Sequence, residues 1–271
     1  MSDLVCYEAA DGVALLTFNR PGRGNAWTGR MEIEYRRRLA EAEADDGVRV
    51  IVLTGAGGQF CVGADKDALD GFRASGQYDS GIREPVAAPG RCDDPELLGR
   101  HSFLWALDKP VIAAVNGAAA GIGFVIASFC DLRFAAAGAK LTTSTARLGL
   151  PAEYGLSWVL PRLVGMTRAA SLLLTGAPIL AEEAERIGLV NGVFPADRLL
   201  DETLAFARRM ARECAPSSLR ATKQQLYADL RRPLGEANAD AVRRMEDMVG
   251  SADFKEGVAA LVERRAPNFL G

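Results

Sequence analysis

The sequence predicts an α/β protein built on a largely parallel sheet. Short apolar segments alternate with amphipathic segments over the first 195 residues, and several of the apolar segments end in glycine-rich turns. This alternation is typical of βαβ units, whose right-handed crossovers assemble the strands into a parallel sheet. From residue 196 onward the periodicity is helical, so we expect a core over residues 1–195 and a helical C-terminal region over 196–271.

The predicted strands are short and rich in apolar and β-branched residues. They cover residues 13–19, 48–53, 111–115, 131–135 and 190–194. The predicted helices of the core cover residues 28–44, 160–174 and 181–187. The C-terminal helices are predicted at 197–214, 216–231, 235–249 and 253–265. Because no strands lie between these last helices, we expect them to cap the core or to form a subunit contact.

Composition excludes several classes of function. The 271 residues contain 32 Lys and Arg against 35 Asp and Glu, a net charge of −3, whereas nucleic-acid-binding surfaces usually show a basic excess. The single histidine, His101, excludes a metal site built from several histidines. It also leaves proton transfer near neutral pH mainly to a carboxylate, a cysteine, a tyrosine or a lysine. No nucleophile motif accompanies His101, and we expect a surface or packing residue.

Cysteine usage favours a reduced, cytoplasmic protein. The five cysteines are widely spaced and form no C-x-x-C pair: Cys6, Cys61, Cys92, Cys130 and Cys214. This pattern is typical of free thiols rather than of a disulfide framework or a zinc site. The N-terminus does not resemble a secretory signal. Residues 111–130 are apolar enough to span a bilayer, but internal glycines divide them into a buried strand and a buried helix, so we expect no membrane association.

Residues 71–94 differ from the rest of the chain. They contain Gly, Ser, Pro, Asp and Arg without periodicity, which predicts a long loop. Loops of this length in compact domains are usually lids, binding loops or disordered segments. The alternative is a mobile surface loop without a function.

Two glycine turns are the candidates for chemistry. Residues 60–65 follow the strand 48–53, and residues 116–123 follow the strand 111–115. Each turn lies at the carboxyl end of a parallel strand, where such sheets bind ligands, and leads into a helix whose first N–H groups are unpaired. Two converging N–H groups could hold one developing oxyanion. The alternative is that the glycines only allow strand and helix to pack closely.

Around these turns the sequence resembles the crotonase superfamily, the enoyl-CoA hydratases and isomerases, over nearly the whole chain. The motifs that carry the resemblance are Asn19-Arg20-Pro21 with Asn25-Ala26, residues 51–55 leading to 60–65, residues 109–117, Cys130-Asp131, residues 173–176, Ala184 with residues 188–190, and residues 254–257 with 263–265. The resemblance implies a crotonase (ClpP/crotonase-like) spiral ββα core. It also implies that the C-terminal region, residues 196–271, forms contacts in a homotrimer, often assembled further into a hexamer, a dimer of trimers.

The same resemblance implies an acyl-CoA thioester as substrate and no separate cofactor, because coenzyme A is part of the substrate. The backbone N–H groups of Ala64 and Ile122 correspond to the family's two oxyanion donors. Three groups of residues correspond to positions along the CoA moiety and its thioester: Arg23, Gly24 and Asn25; Val62, Ala64, Asp65 and Lys66; and Gly121 and Ile122. Arg265 corresponds to a residue near a CoA phosphate.

The sequence differs from typical hydratases at their two glutamates. Val125 and Thr145 stand at those positions, and Glu153 follows in the run 148–162. This run is similar to the single-carboxylate members, the peroxisomal-type Δ3,Δ2-enoyl-CoA isomerases and the ring-opening isomerase of phenylacetate degradation, which place an acid ahead of a Trp/Tyr-x-x-Pro-Arg/Lys pattern. One carboxylate that removes a proton at one carbon and returns it two carbons away is what a 1,3-shift requires.

We therefore expect an enoyl-CoA isomerase with Glu153 as its base and Ala64 and Ile122 as oxyanion donors. A hydratase that uses Glu153 alone, and an acyl-CoA-binding protein without catalysis, are the alternatives. Two other roles for Glu153 stay open. It could be an acid stabilised by the dipole of the helix that starts near Gly155, or a nucleophile as in the 4-halobenzoyl-CoA dehalogenases.

Overall fold

A computed structural model describes residues 3–83, 86, 89–90 and 94–269 of the chain. Its main feature is a six-stranded sheet, parallel except for the antiparallel pair at one edge. In spatial order the strands are β1 (Val5–Ala10), β2 (Val13–Phe18), β3 (Val50–Gly55), β5 (Val111–Val115), β7 (Leu132–Ala136) and β10 (Gly192–Phe194). The central strands β3 and β5 are buried along their whole length, as expected for parallel strands covered on both faces.

A second, smaller sheet runs beside the first. Its strands, in spatial order, are β4 (Gln59–Cys61), β6 (Ala118–Ala120), β8 (Lys140–Thr142) and β9 (Ile179–Leu180). The helices between strands are α1 (Gly29–Ala44), α2 (Lys66–Ser75), α3 (Ile122–Phe129), α4 (Leu156–Thr175) and α5 (Ala181–Arg186). The chain therefore repeats one unit, a strand of each sheet and then a helix, as β3–β4–α2, β5–β6–α3 and β7–β8–α4. This is the expected spiral ββα core.

Four helices complete the chain: α6 (Leu199–Glu213), α7 (Pro216–Asp229), α8 (Leu234–Val249) and α9 (Ala252–Glu263). Helix α6 packs across the six-stranded sheet and buries Leu199, Ala207 and Ala211 against it. Helix α7 is joined to the core by buried Lys223, whose Nζ lies 2.8 Å from the Asp131 carboxylate. These two helices cover the body of their own chain.

Several elements differ from the sequence-based expectation, and none of the four strands of the smaller sheet, β4, β6, β8 and β9, was predicted. Strand β1 was not predicted, although Asp11-Gly12 at positive φ is the tight-turn dipeptide that joins antiparallel strands in a hairpin. The prediction of a loop over residues 71–94 was wrong for its first five residues, because residues 71–75 belong to α2. Asp65 caps this helix by accepting the Asp67 N–H at 3.0 Å, and Gly76 ends it in a left-handed conformation. Residues 84, 85, 87, 88 and 91–93 of the predicted loop lie outside the described residues.

The apolar stretch 111–130 contains the predicted strand, β5, and the predicted helix, α3, with the unpredicted strand β6 between them. In the part of the chain that the structure describes, no helix is both long and apolar enough to cross a membrane. Cys6, Cys61, Cys130 and Cys214 carry free thiols, and Cys92 lies outside the described residues.

Candidate active site

The two glycine turns lie against each other. Strand β4 pairs with β6, so the turn that follows β4 runs beside the turn that follows β6. A Cβ atom on Gly63 would lie 3.9 Å from the Cα of Gly121, and one on Gly121 would lie 3.6 Å from the Cα of Gly63. The peptide units that carry the Ala64 N–H and the Ile122 N–H are therefore neighbours.

Neither of these N–H groups is used by the fold. Trp27 forms a parallel bridge with Ala64, donating to the Gly63 carbonyl at 2.7 Å and accepting the Asp65 N–H at 3.0 Å. In such a bridge the N–H of the middle residue points to the opposite side. Ile122 is the first residue of α3, where an N–H has no partner within its helix. Among the described residues neither N–H has an acceptor, so both are available to one ligand atom.

Glycine is required at two points of this arrangement. Gly121 has φ 49° and ψ −119°, a conformation that a side chain would strain. A Cβ atom on Gly123 would lie 2.1 Å from the Cys61 carbonyl oxygen, so only glycine lets α3 start this close to β4. All eight residues of α3 are buried. The helix therefore holds its N-terminal N–H groups in a fixed position.

Glu153 lies in the turn that precedes α4. Tyr154 has φ 48°, Gly155 has φ 82° and serves as the N-cap, and Leu156 donates to the Glu153 carbonyl at 2.9 Å. The Glu153 side chain is half-buried and accepts no hydrogen bond within the described part of the chain. Burial raises the pKa of this carboxyl, and the Arg100 guanidinium lowers it in part.

This environment does not support the alternative that Glu153 is an acid stabilised by the dipole of the helix that starts near Gly155. A carboxylate stabilised by the N-terminus of α4 would accept a backbone N–H and show a lowered pKa. The α4 N-terminus has no side-chain cap, and the Glu153 pKa is shifted upward. A half-buried carboxyl that accepts no hydrogen bond and has a raised pKa is a candidate for a functional site.

The sequence analysis missed two residues beside Glu153, Tyr78 and Arg100. The Tyr78 hydroxyl lies 2.8 Å from the Tyr154 hydroxyl and accepts a hydrogen bond of 2.5 Å from Arg100. The Arg100 guanidinium also lies 5.4 Å from the centre of the Tyr154 ring. Tyr78 was hidden in an aperiodic segment, and its only sequence signal is a lone aromatic residue among polar ones.

Behind Arg100 lies a buried polar cluster around Glu32. The Glu32 carboxylate accepts hydrogen bonds of 2.8 Å from the indole of Trp27 and from Arg36, and Arg100 lies 3.5 Å away. His101 is 2% exposed and packs its ring edge-on against Tyr154 with centroids 4.8 Å apart. It is thus a packing residue, and burial lowers its pKa to about 4.

The two positions that carry glutamates in hydratases offer no carboxylate. Val125 is fully buried inside α3. Thr145 begins a short 3-10 helix, and its buried hydroxyl has no hydrogen-bond partner among the described residues. Neither residue can activate a water molecule as a carboxylate does.

The residues that correspond to CoA-binding positions fall into two adjoining segments. Val62 donates to the Gly24 carbonyl at 3.1 Å, which places residues 23–25 beside 62–66. Arg23, Val62 and Lys66 are exposed. Their side chains are therefore accessible to a ligand along this edge.

The side chains of Asn25 and Asp65 hold the same two segments in place. The fully buried Asn25 side chain accepts the Arg20 N–H and donates to the carbonyls of Ala56 and Gln59. Asp65 is 5% exposed and pairs with Arg20 at 2.8 Å. Burial opposes ionisation of Asp65, but the Asp67 N–H and Arg20 outweigh it and lower its pKa. The polar atoms of both side chains thus already form hydrogen bonds or ion pairs within the protein.

Arg265 lies just after α9 and is already paired. It forms ion pairs of 2.6 Å with Glu256 and with Glu263. A phosphate would have to compete with these two carboxylates for the guanidinium.

A spiral fold, two backbone N–H groups without an acceptor among the described residues, and a half-buried carboxyl with a raised pKa are together typical of an acid–base enzyme. Residues 8–271 match the family model described as enoyl-CoA hydratase/isomerase. The chain belongs to this family, the crotonase superfamily, and is an enzyme of it.

Individual relatives show how close the similarity is. Probable enoyl-CoA hydratase EchA12 of Mycobacterium tuberculosis is 38% identical over 95% of this chain and 89% of its own length. The 1,2-epoxyphenylacetyl-CoA isomerase of Escherichia coli is 34% identical over the full length of both chains. A crystal structure of a probable enoyl-CoA hydratase/isomerase from Mycobacterium abscessus superposes with a TM-score of 0.85 at 32% identity and covers 98% of each chain.

Proposed function

We propose that this chain is a Δ3,Δ2-enoyl-CoA isomerase in which Glu153 is the only acid–base residue. The proposal rests on the Glu153 carboxyl. It is half-buried, it accepts no hydrogen bond from the described residues, and its pKa is raised. No second carboxylate is available at Val125 or Thr145 to position a water molecule. The substrate is an acyl-CoA thioester, and no cofactor is needed beyond the coenzyme A that it carries.

The proposed reaction begins with the thioester carbonyl oxygen at the Ala64 and Ile122 N–H groups. The Glu153 carboxylate removes a proton from C2 of the 3-enoyl group, and the electron pair moves into the carbonyl to form a dienolate. The two N–H groups stabilise this anion, each by about 3 kcal/mol. Protonated Glu153 then returns the proton to C4, which moves the double bond from C3–C4 to C2–C3 and restores the carboxylate.

The raised pKa of Glu153 suits both halves of this cycle. A carboxylate with a higher pKa is a stronger base towards the C2 proton, yet it still releases the proton to the dienolate. Tyr154 and buried Leu156 supply apolar surface near it. The side chains of Arg23, Val62 and Lys66, with backbone groups of Gly24, Asn25 and Gly121, would contact the CoA moiety, and Arg265 a phosphate of CoA.

Hydration is the second candidate, because relatives such as EchA12 of Mycobacterium tuberculosis are named probable enoyl-CoA hydratases. A hydratase would have to use Glu153 alone both to activate the water and to protonate C2. The third alternative, an acyl-CoA-binding protein without catalysis, shares the same contacts and lacks turnover.

The decisive experiment incubates the enzyme with 3-enoyl-CoA and 2-enoyl-CoA thioesters and follows the products by mass spectrometry and NMR. Isomerisation leaves the mass unchanged, whereas hydration adds one water. The variant Glu153→Gln should lose roughly 10²–10⁴-fold in kcat and still bind the thioester. The exposed Glu8→Gln on strand β1 is the control and should keep its rate. Full isomerase activity in Glu153→Gln would refute the base assignment.

For assembly, we propose a homotrimer, or a hexamer made of two trimers, that uses the region 196–271. The support is a set of exposed apolar side chains on α8 and α9. These are Leu234, Val242, Met245, Val249, Phe254, Val258, Leu261 and Val262. Surfaces of this kind mark protein contacts. Light scattering at several protein concentrations tests the stoichiometry, and Leu261→Asp should shift it towards the monomer.

For location, we propose the cytoplasm. The support is the state of the four described cysteines, whose thiols are free. Fractionation of the native host with compartment markers tests this location.

A further inference from the structure

A cavity of about 250 Å³ opens beside the turn that carries Glu153. Five aromatic side chains line it together with two aliphatic residues, Leu97 and Val159. The aromatic residues are Trp105, Phe129, Tyr154, Trp158 and Tyr227. The charged residues Glu96 and Arg231, 3.1 Å apart, stand among the remaining lining residues. The cavity therefore combines a mostly aromatic interior with an ion pair.

The aromatic walls are held rigidly. Tyr227 stacks on Trp105 with ring centroids 4.4 Å apart and an interplanar angle of 9°. The Tyr227 hydroxyl donates to the Asp131 carboxylate at 2.5 Å, which fixes the ring from its far end. Trp105 also contacts Phe129 and Trp158 at centroid distances of 4.9 and 5.9 Å. Flat, fixed surfaces of this kind fit a flat group better than a flexible chain.

Trp105 adds an unused hydrogen-bond donor. Its side chain is 8% exposed, and its indole N–H has no acceptor within the described residues. Buried donors without an acceptor are uncommon because they lose their bond to water and gain none in return. An occupant of the cavity, or a water molecule bound with it, can supply the missing acceptor.

The cavity lies within reach of the oxyanion donors. Phe129 is the last residue of α3 and Ile122 the first, so the two are separated by about 10 Å along the helix. The turn 153–155 meets the Phe129 end, because a Cβ atom on Gly155 would lie 3.8 Å from the Phe129 ring. The separation of about 10 Å along α3 is short enough for an acyl group whose carbonyl lies at the Ile122 N–H to extend to the cavity.

We propose that this cavity seats an aromatic ring at the far end of the acyl group, which makes the enzyme selective for aryl-substituted acyl-CoA thioesters. The proposal rests on the function proposed above. The volume is sufficient, because a dry cavity of about 150 Å³ accommodates benzene. The remaining space accepts one or two ring substituents, and the ring gains edge and face contacts with the Trp105, Trp158 and Phe129 rings.

The test compares two thioesters with equal numbers of acyl carbons, 5-phenyl-3-pentenoyl-CoA and 3-undecenoyl-CoA. We expect kcat/KM to be at least tenfold higher for the phenyl thioester. Titration calorimetry with the saturated, unreactive 5-phenylpentanoyl-CoA and undecanoyl-CoA should show the same preference in Kd. Equal or tighter binding of the linear thioester would overturn the proposal. If neither unsaturated thioester reacts but the phenyl preference in binding remains, the isomerase function fails and the ring site stands.

Variants connect the preference to the cavity. Val159→Phe fills the cavity from α4 and should abolish the tenfold preference for the phenyl thioester. Ser157→Phe introduces the same side chain at an exposed position of the same helix and should keep the preference. Leu97→Phe, which narrows the cavity from a partly buried position, replaces Val159→Phe if that variant does not fold. A preference that survives both cavity variants would place the ring elsewhere and refute the assignment.

Discussion

The phenol oxygens of Tyr78 and Tyr154 lie 2.8 Å apart, although the two residues are 76 positions apart in the chain. This hydrogen bond joins the segment after α2 to the turn that presents Glu153. Arg100 adds a second hydrogen bond by donating to the Tyr78 hydroxyl at 2.5 Å. Tyr154 adopts a positive φ, a backbone conformation that costs on the order of 1–3 kcal/mol and persists only when neighbours hold it.

Removing the Tyr78 hydroxyl should therefore make the position of Glu153 less fixed. We expect Tyr78→Phe to lower kcat/KM about fivefold, the equivalent of one hydrogen bond of roughly 1 kcal/mol. The melting temperature should hardly change, because the Tyr78 side chain is 62% exposed. Tyr7→Phe is a matched control, since the Tyr7 hydroxyl has no hydrogen-bond partner in the described chain. If Tyr78→Phe and Tyr7→Phe have the same rate, the hydrogen bond does not position Glu153.

Removing the Arg100 charge should move the pH profile. The proposed reaction needs ionised Glu153, so kcat/KM falls as the pH drops through the Glu153 pKa. Burial raises that pKa and Arg100 lowers it. We therefore expect Arg100→Met to shift the acid limb to higher pH, and Arg100→Lys to shift it less. An acid limb that stays in place in Arg100→Met would contradict the electrostatic role.

Neutralising Asp131 should weaken the attachment of α7. The Asp131 carboxylate accepts the Val111 N–H at 2.6 Å, the Lys223 ammonium at 2.8 Å and the Tyr227 hydroxyl at 2.5 Å. Asp131→Asn leaves the buried Lys223 charge without its counter-charge, which should reduce the free energy of unfolding by about 3 kcal/mol. Urea denaturation measures this change. Asp131→Asn with Lys223→Met should recover part of the loss, and a double variant weaker by the full sum would exclude coupling.

His101 should make stability depend on pH. Its pKa is lowered to about 4 in the fold, against roughly 6.5 in an unfolded chain. Below pH 6.5 the unfolded state binds this proton and the folded state does not, so stability falls as the pH drops towards 4. The wild type should lose about 2 kcal/mol more than His101→Phe between pH 7 and pH 5. Equal losses in the two proteins, measured by urea denaturation, would show that His101 does not titrate in this way.

The architecture was readable from the sequence because it rests on periodicity and on a few backbone requirements. The buried strands at 50–55 and 111–115 and the glycine turns after them were predicted within two residues of where they lie. Gly121 and Gly123 were recognisable as glycines with a structural role, because Gly121 adopts a backbone conformation that strains a side chain and Gly123 lies too close to β4 for one. A backbone requirement of this kind can be recognised from the residue type at a single position.

The surroundings of Glu153 could not be predicted in the same way. Tyr78, Arg100 and Tyr154 meet through chain segments whose relative positions depend on the whole spiral, and no spacing in the sequence encodes the contact. The cavity beside Trp105 likewise depends on how α7 packs against residues 102–106. The sequence identified Glu153 as a candidate through its resemblance to a family, whereas its pKa follows from burial and from Arg100.

The hydrogen bonds of Asn25 have a consequence for how selectivity can change. With a left-handed backbone and its amide fully bonded, Asn25 locks the segment 20–27 onto the ends of the sheets before any ligand arrives. On the proposed function, this preformed edge receives the part that all acyl-CoA molecules share. The part that varies is received by other residues, the side chains of α4 and α7 that surround Trp105. Substitutions around Trp105 can therefore change the range of acyl groups that the enzyme accepts while its binding of the CoA moiety stays unchanged.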